Sequence, residues 1–293
     1  ITIYPAHGAG SACGKNMMKE TIDKLGNQKQ MNYALRADMT KDEFIAEVID
    51  GLLPPPQYFP ANVKLNKEGY DDIQEVLNRG TQALSPEAFE AVANETGAVV
   101  LDVRHQDAFA IGHLPRSIFI GLDGSFAPSV SALIPDTKQP ILLVTEPGRE
   151  EEAVTRLSRV GFDNTLGYLE GGFEAWKKAS KEYDVVSSVT APEFKNELSK
   201  GNTPVFDVRK ESEHSSEHVM DATNTPLDFL NDHLAEFPEE PFFLHCAGGY
   251  RSMIASSILK SRGIHNVIDV KGGFKAIKEA GVTVSEFVCP STL

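Results

Sequence analysis

Beyond about Ser85 the chain repeats itself with a period of roughly 100 residues, and nothing else in it limits the fold as strongly. Ser85-Pro86-Glu87 with Phe89 returns as Thr190, Pro192, Glu193 and Phe194, a helix start each time. Val100-Leu101-Asp102-Val103-Arg104 returns as Val205-Phe206-Asp207-Val208-Arg209. Gly112-His113 returns as Glu217-His218, Ile141-Leu142-Leu143-Val144 as Phe242-Phe243-Leu244-His245, and Gly171-Gly172-Phe173 as Gly272-Gly273-Phe274. Short apolar runs alternating with helical segments predict an α/β fold, a parallel sheet flanked by helices, present here in two tandem copies.

The copies differ where a strand hands over to a helix. In the second copy an apolar run ends at His245 and is followed by Cys246-Ala247-Gly248-Gly249-Tyr250-Arg251-Ser252. A helical pattern then pairs Ile254 with Ile258 and Ala255 with Leu259, and stops at Lys260, Arg262 and Gly263. Cys246 is therefore expected at the mouth of a strand–loop–helix turn. Helix N-terminal N–H groups lack internal partners and favour negative charge, a tight loop adds further N–H donors, and the thiolate is the nucleophilic form of cysteine. Arg251 adds a guanidinium able to grip an oxyanion with two parallel hydrogen bonds. The plainer alternative is a buried structural cysteine beside a turn. In the first copy the same stretch reads Thr145-Glu146-Pro147-Gly148-Arg149-Glu150. It has no thiol, and its carboxylates should fill the anion site, so this copy is expected to be silent and to serve packing or docking.

The Cys-x-x-Gly-x-Arg loop after a strand resembles the active loop of rhodanese-type sulfurtransferases, and each copy resembles one rhodanese domain. The resemblance implies that Cys246 carries sulfane sulfur as a persulfide and that Arg251 holds the oxyanion. It makes Ala247, Gly248, Gly249, Tyr250 and Ser252 the substrate-binding loop and Asp207, Arg209 and His218 supporting residues. Dual-specificity phosphatases place five residues between Cys and Arg; here four intervene, a ring tight for phosphate. Asp207 and Arg209 have counterparts in Asp102 and Arg104 of the silent copy, which favours a structural role. Asp207 is expected to accept N–H bonds from the loop and Arg209 to pair with Glu213.

The opening, Tyr4-Pro5-Ala6-His7-Gly8, resembles the end of the metallo-β-lactamase fold in persulfide dioxygenases of the glyoxalase II branch. The whole then resembles a persulfide dioxygenase–rhodanese fusion that keeps only the last part of the dioxygenase. The expected domains are 1–82, a remnant of the metallo-β-lactamase-like domain; 83–181, a silent rhodanese-like domain; and 182–293, the rhodanese domain bearing Cys246. None of the eight histidines forms the His-x-His-x-Asp-His metal signature. His7 falls at a metal-site histidine of the family. Fe(II) is implied for the missing upstream domain, and no cofactor is required for sulfur transfer. Within the opening segment, Ile1-Thr2-Ile3-Tyr4 reads as a strand. Thr40 with Glu43 forms a capping box for a helix through Phe44, Ile45, Val48 and Ile49. An irregular passage is expected from Gln57 to about Thr81.

A net charge of −14 argues against nucleic acid or an anionic membrane as partner. The expected partners are small sulfur compounds: thiosulfate, sulfite, glutathione persulfide or a similar molecule. A homo-oligomer is left open. Cys13, Cys246 and Cys289 match no disulfide framework or zinc spacing, which points to a reducing, cytoplasmic setting. His214-Ser215-Ser216-Glu217-His218 spells an inverted zinc-peptidase motif, but only its last histidine recurs in the first copy, so His113 and His218 are expected to brace a loop. A second function class stays open, a docking module whose thiol senses oxidation.

Overall fold

In the computed structural model the apolar runs become the strands of two five-stranded sheets, every pairing parallel. Residues 1–4, 21–49, 59–69, 72–201 and 203–289 are described, and they divide into two units, Ile1–Pro55 and Pro56–Leu293. His7 and Cys13 lie outside the described residues.

In the first unit β1 (Thr2–Ile3) pairs antiparallel with β2 (Asp23–Lys24), followed by α1 (Leu25–Met31) and α2 (Lys41–Ile49). The strand read at Ile1–Tyr4 is β1. The capping box of α2 forms as expected: the Thr40 N–H and hydroxyl each donate to Glu43 at 2.8 Å, and the Glu43 N–H donates back at 3.3 Å. These bonds hold the Glu43 carboxyl below its ordinary pKa. Phe44, Ile45 and Ile49 on this helix remain exposed.

The second unit begins with α3 (Phe59–Glu68) and α4 (Ile73–Gly80), where the sequence reading placed an irregular passage. The stripe that makes α4 is short but regular: Ile73, Val76, Leu77 and Gly80 recur at helical spacing. Asp72 caps it by accepting the Gln74 N–H at 2.7 Å. Val76 is 1% exposed and joins the core of the first repeat. Gly80 lies so close to Val154 that a Cβ would sit 2.7 Å from it. Thus α4, assigned by sequence to the leading segment ending at residue 82, packs into the first repeat.

The first repeat runs β3 (Ala83–Leu84), α5 (Pro86–Thr96), β4 (Val99–Asp102), α6 (Gln106–Ile111), β5 (Ile118–Phe119), α7 (Phe126–Leu133), β6 (Ile141–Val144), α8 (Glu150–Ser158), β7 (Thr165–Leu169) and α9 (Gly172–Lys178). The second runs β8 (Ser187–Val189), α10 (Ala191–Leu198), β9 (Val205–Asp207), α11 (Glu211–Ser216), β10 (Thr223–Asn224), two short 3-10 turns, β11 (Phe242–His245), α12 (Tyr250–Ser261), β12 (Val267–Val270) and α13 (Gly273–Glu279). The sheet orders, β3-β7-β6-β4-β5 and β8-β12-β11-β9-β10, are the same topology. The α5 and α10 starts are capped by Ser85 and Thr190, with Pro in the first turn of each.

Alternation along the central strands sorts the layers. Leu142 and Val144 meet Phe89 of α5 and Trp176 of α9 on one face, while Ile141 and Leu143 meet α6, α7 and α8 on the other. In the second repeat Phe243 packs with Phe194 of α10 and Phe274 of α13. Phe242, Leu244 and Cys246 face α12 instead, in an apolar cluster continuous with the first repeat. Helix α12 is buried from Ser252 to Lys260 because it is enclosed by both repeats. Its Ser257 hydroxyl takes the Phe119 N–H of edge strand β5 at 2.9 Å, covering an otherwise open sheet edge. Lys260, read from sequence as a cation at the helix end, is 8% exposed and paired at 3.0 Å with Asp184 between the repeats.

Val76→Ala should lower the stability of the Pro56–Leu293 unit by about 2 kcal/mol, from lost apolar burial plus the cavity left behind. Urea denaturation checks this; an unchanged midpoint would show α4 to be dispensable to the first repeat.

Candidate functional site

Strand β11 delivers Cys246 to the sheet end, and Gly249 turns the chain into α12 with φ +101°, a left-handed value favourable to glycine. The Gly249 N–H donates to Cys246 Sγ at 3.1 Å. The loop carbonyls are held elsewhere. The Cys246 carbonyl accepts the Phe274 N–H at 2.6 Å and the Ala247 carbonyl accepts the Lys275 N–H at 3.1 Å, both from the first turn of α13. This docking requires Gly273, at φ +57°, where a Cβ would stand 2.4 Å from the Cys246 carbonyl oxygen. Cys246 is 1% exposed, Ala247 is half-buried and Gly248 is exposed.

Arg251 is held by a carboxylate of the neighbouring helix. Its two terminal nitrogens fork onto Glu213 of α11 at 2.6 and 2.9 Å. This pairing holds the Glu213 carboxyl below its ordinary pKa. The sequence reading gave Glu213 to Arg209, and that is corrected. Arg209 forks onto Asp207 two residues before it, at 2.6–3.0 Å, donates to the Glu217 carbonyl at 2.8 Å and lies 3.9 Å over the Phe274 ring. Asp207 accepts the Arg209 N–H at 3.0 Å, a bond within its own turn and not one from the Cys246 loop. Asp102 and Arg104 make the same fork in the first repeat, with Arg104 over Phe173. The pair thus anchors the turn and steadies the aromatic ring next to the Gly-Gly docking point.

The Tyr250 side chain leaves the loop for the first repeat. Its hydroxyl donates to the Gly121 carbonyl at 2.7 Å, and its ring meets Phe119 edge-on at 5.7 Å. A Cβ on Gly124 would strike that ring at 2.2 Å. Burial raises the Tyr250 pKa, so the phenol stays neutral. His218 binds the His214 carbonyl at 2.8 Å and takes part in the Ser285 contacts of the tail, while His214 reaches the Ala222 carbonyl at 3.1 Å and stacks on His218. Those contacts brace the α11 turn, and among the described residues no group of His, Cys, Asp and Glu could hold a metal ion. His113 is braced likewise on the Phe109 carbonyl, and burial pushes its pKa down to about 4. Cys289 is exposed, next to Val288, which exchanges hydrogen bonds with Ser216.

Two polar residues beside the loop escaped the sequence reading. His245 precedes Cys246, but successive strand residues face opposite ways. Its ring lies on the Phe274 side, 6.1 Å from it, and burial lowers its pKa. It is placed away from the Sγ face. Asp269 of β12 is 2% exposed, on the α12 side. The Ser252 hydroxyl stands between its carboxyl and the Gly249 carbonyl, 3.2 Å from the latter. Burial pushes Asp269 up to about 6. No sequence signal marks it, since an Asp in a strand reads as solvent-facing until the helix above it is placed.

The first repeat's loop is closed as expected. Glu150, at the Arg251 position, accepts the Thr145 hydroxyl at 3.2 Å and the Gly148 N–H at 3.1 Å. Gly148 is the counterpart of Gly249, so a carboxylate occupies the donor that faces sulfur in the second repeat.

Asp269 also predicts a pH signature. Its folded value near 6 exceeds the 3.8 of an unperturbed Asp. Between those values the folded chain holds a proton that the unfolded chain has released, so this group's contribution to stability falls as pH rises from about 4 to about 6. Asp269→Asn should remove that slope and stabilise the protein above pH 7 by about 2–3 kcal/mol relative to wild type. Urea midpoints from pH 4 to 8 test it; parallel profiles would reject it.

A rhodanese-like domain model matches residues 85–179 and again 190–280, more than half of the chain. Thiosulfate sulfurtransferase GlpE of Pseudomonas aeruginosa is 32% identical over 97 residues, covering 33% of this chain and 84% of that protein. The uncharacterized protein YqhL of Bacillus subtilis is 30% identical over 92 residues, 31% of this chain and 71% of its own length. A tRNA uridine(34) hydroxylase of Buchnera aphidicola is 26% identical over 107 residues, and the match spans 34% of that relative. Among solved structures, a rhodanese-like domain protein from Staphylococcus aureus is 28% identical, with 34% of this chain and 100% of that one covered at a TM-score of 0.32. With the same domain recognised in both repeats, the chain belongs to the rhodanese-like domain family.

Proposed function

We propose that this chain is a sulfurtransferase that moves sulfane sulfur through a persulfide on Cys246. The observation that carries the proposal is the loop itself: Sγ accepts the Gly249 N–H, while the carbonyls of Cys246 and Ala247 are drawn off by α13. The Cys246 thiolate attacks the outer sulfur of thiosulfate or of a small-thiol persulfide. A new S–S bond forms to Sγ, the donor's S–S bond breaks, and sulfite or a thiolate leaves with the bonding electron pair. Sulfite, cyanide or a thiol then takes the sulfur and returns Cys246 as thiolate. Ala247, Gly248, Gly249 and Ser252 form the ring around the sulfur, and Tyr250 anchors that ring to the first repeat. Similarity to thiosulfate sulfurtransferase GlpE supports the reaction class.

Of the leading residues 1–82, the Ile1–Pro55 unit belongs to this proposal as the end of a metallo-β-lactamase-like domain in a persulfide dioxygenase fusion for sulfide detoxification, while α4 belongs with the first repeat. The uncovered apolar face of α2, with Phe44, Ile45 and Ile49 exposed, supports a larger surrounding domain. The described residues do not fit an iron site, and His7 lies outside them. A reducing, cytoplasmic setting and small sulfur compounds as partners complete the reading. None of the described helices is long and apolar enough to cross a membrane.

Cys246→Ser should abolish thiosulfate-to-cyanide and persulfide-to-sulfite transfer, and the wild-type Cys246 peptide should gain the mass of one sulfur atom after donor treatment. Full activity in the variant would reject the proposal. Oxidation of Cys246 without repeated donor consumption would favour a redox-sensing docking module instead.

A further inference from the structure

Asp269 is buried beneath α12, and its Oδ1 has no hydrogen-bond partner among the described residues. The side-chain hydroxyl beside it, from Ser252, favours the ionised carboxylate. That same hydroxyl donates to the Gly249 carbonyl at 3.2 Å. A serine hydroxyl has one proton, and here two acceptors compete for it. The charged groups that face Asp269 oppose each other: Lys271, just past β12, favours ionisation, and Asp107 of α6 resists it. Arg251 and Lys260 of α12 are paired elsewhere, with Glu213 and Asp184. The ladder neighbours of Asp269 are Leu244 of β11 and Ser188 of β8, and Cys246 emerges on the face that it shares with Leu244. The first repeat has no such arrangement, since Tyr168 stands at the Asp269 position and Glu151 at the Ser252 position. Of the two repeats, the one with the thiol has the acid–hydroxyl pair.

We infer that Asp269 is a positioning residue for sulfur transfer, acting through Ser252 on Gly249, whose N–H faces Cys246 Sγ. This deepens the sulfur-transfer reading and rests on it. With the carboxyl protonated, its O–H donates to Ser252 Oγ, and the Ser252 proton goes to the Gly249 carbonyl. Gly249 is then held on both sides, its N–H on Sγ and its carbonyl by Ser252. When the Asp269 proton leaves to solvent, the carboxylate is the stronger acceptor and takes the Ser252 proton. The Gly249 carbonyl keeps the Met253 N–H at 3.2 Å and loses the hydroxyl. A glycine at φ +101° has no side chain to fix it, so the donor that faces sulfur is held less firmly. Burial pushes Asp269 up to about 6, which sets where the exchange occurs. Asp269 touches no reacting atom and acts through Ser252.

The test is the rate at which thiosulfate loads sulfur onto Cys246 of the full chain, followed by mass spectrometry from pH 5 to pH 8. Asp269→Asn keeps a neutral donor to Ser252 at every pH. The ratio of wild-type to Asp269→Asn rate cancels the titration of the thiol itself. It should lie near one at pH 5 and fall as pH rises through about 6, leaving wild type about five-fold slower at pH 8, the loss of one hydrogen bond. In a Ser252→Ala background the same Asp269→Asn change should stay within about two-fold at every pH. A ratio that is flat across the range, or a pH dependence that survives unchanged in Ser252→Ala, overturns the assignment. Alkylation of Cys246 by iodoacetamide, read on the Cys246 peptide, should follow the same ratio and does not require sulfur transfer. Persistent transfer in Cys246→Ser would instead defeat the underlying reaction, an outcome separable from any change in the ratio.

Discussion

Everything at the candidate site depends on how the peptide groups of the Cys246 loop are turned. A loop between a strand and a helix has donors and acceptors on both sides, and a thiol is helped only if the acceptors look away. Here α13 imposes that direction. The unpaired N–H groups of its first turn take the carbonyls of Cys246 and Ala247, and the Gly249 N–H is left for the sulfur. Contact this close has no room for a Cβ at Gly273. The Gly-Gly-Phe turn is therefore as much a part of the site as the cysteine, although it lies 26 residues or more further along the chain.

The two repeats show how much chemistry a conserved scaffold leaves to choice. Both sheets have the same order, both carry the Asp–Arg fork, and both begin the loop helix after a left-handed glycine. In one, the glycine N–H meets a sulfur; in the other, a carboxylate from the next turn has taken it. The first repeat keeps a mechanical role. Its edge strand is covered by α12, and the backbone of its β5–α7 segment receives Tyr250 from the loop. A residue inside the candidate site is thereby held by a domain that has no thiol of its own.

Much of this was legible because it was local or periodic. Recurrence of apolar runs at a constant interval announces the same strands twice, and the strand–Cys–Gly-Gly–helix pattern places Cys246 at a loop mouth without any coordinates. Glu150 as a plug was readable too, since a carboxylate at a helix start finds nearby N–H groups. Helix α4 was missed though its stripe is regular, because its eight residues lie between segments whose composition reads as irregular.

What the sequence alone determined is the architecture and the position of Cys246, since both follow from short-range periodicity and from the directional needs of the backbone. Only the tertiary structure decided which partners the charged and aromatic side chains take. Arg251 reaches Glu213 across 38 positions and Tyr250 reaches Gly121 across 129. Asp269 becomes a buried acid only once α12 lies over it. Such pairings depend on which faces are brought together by packing, and a linear pattern holds no record of that choice.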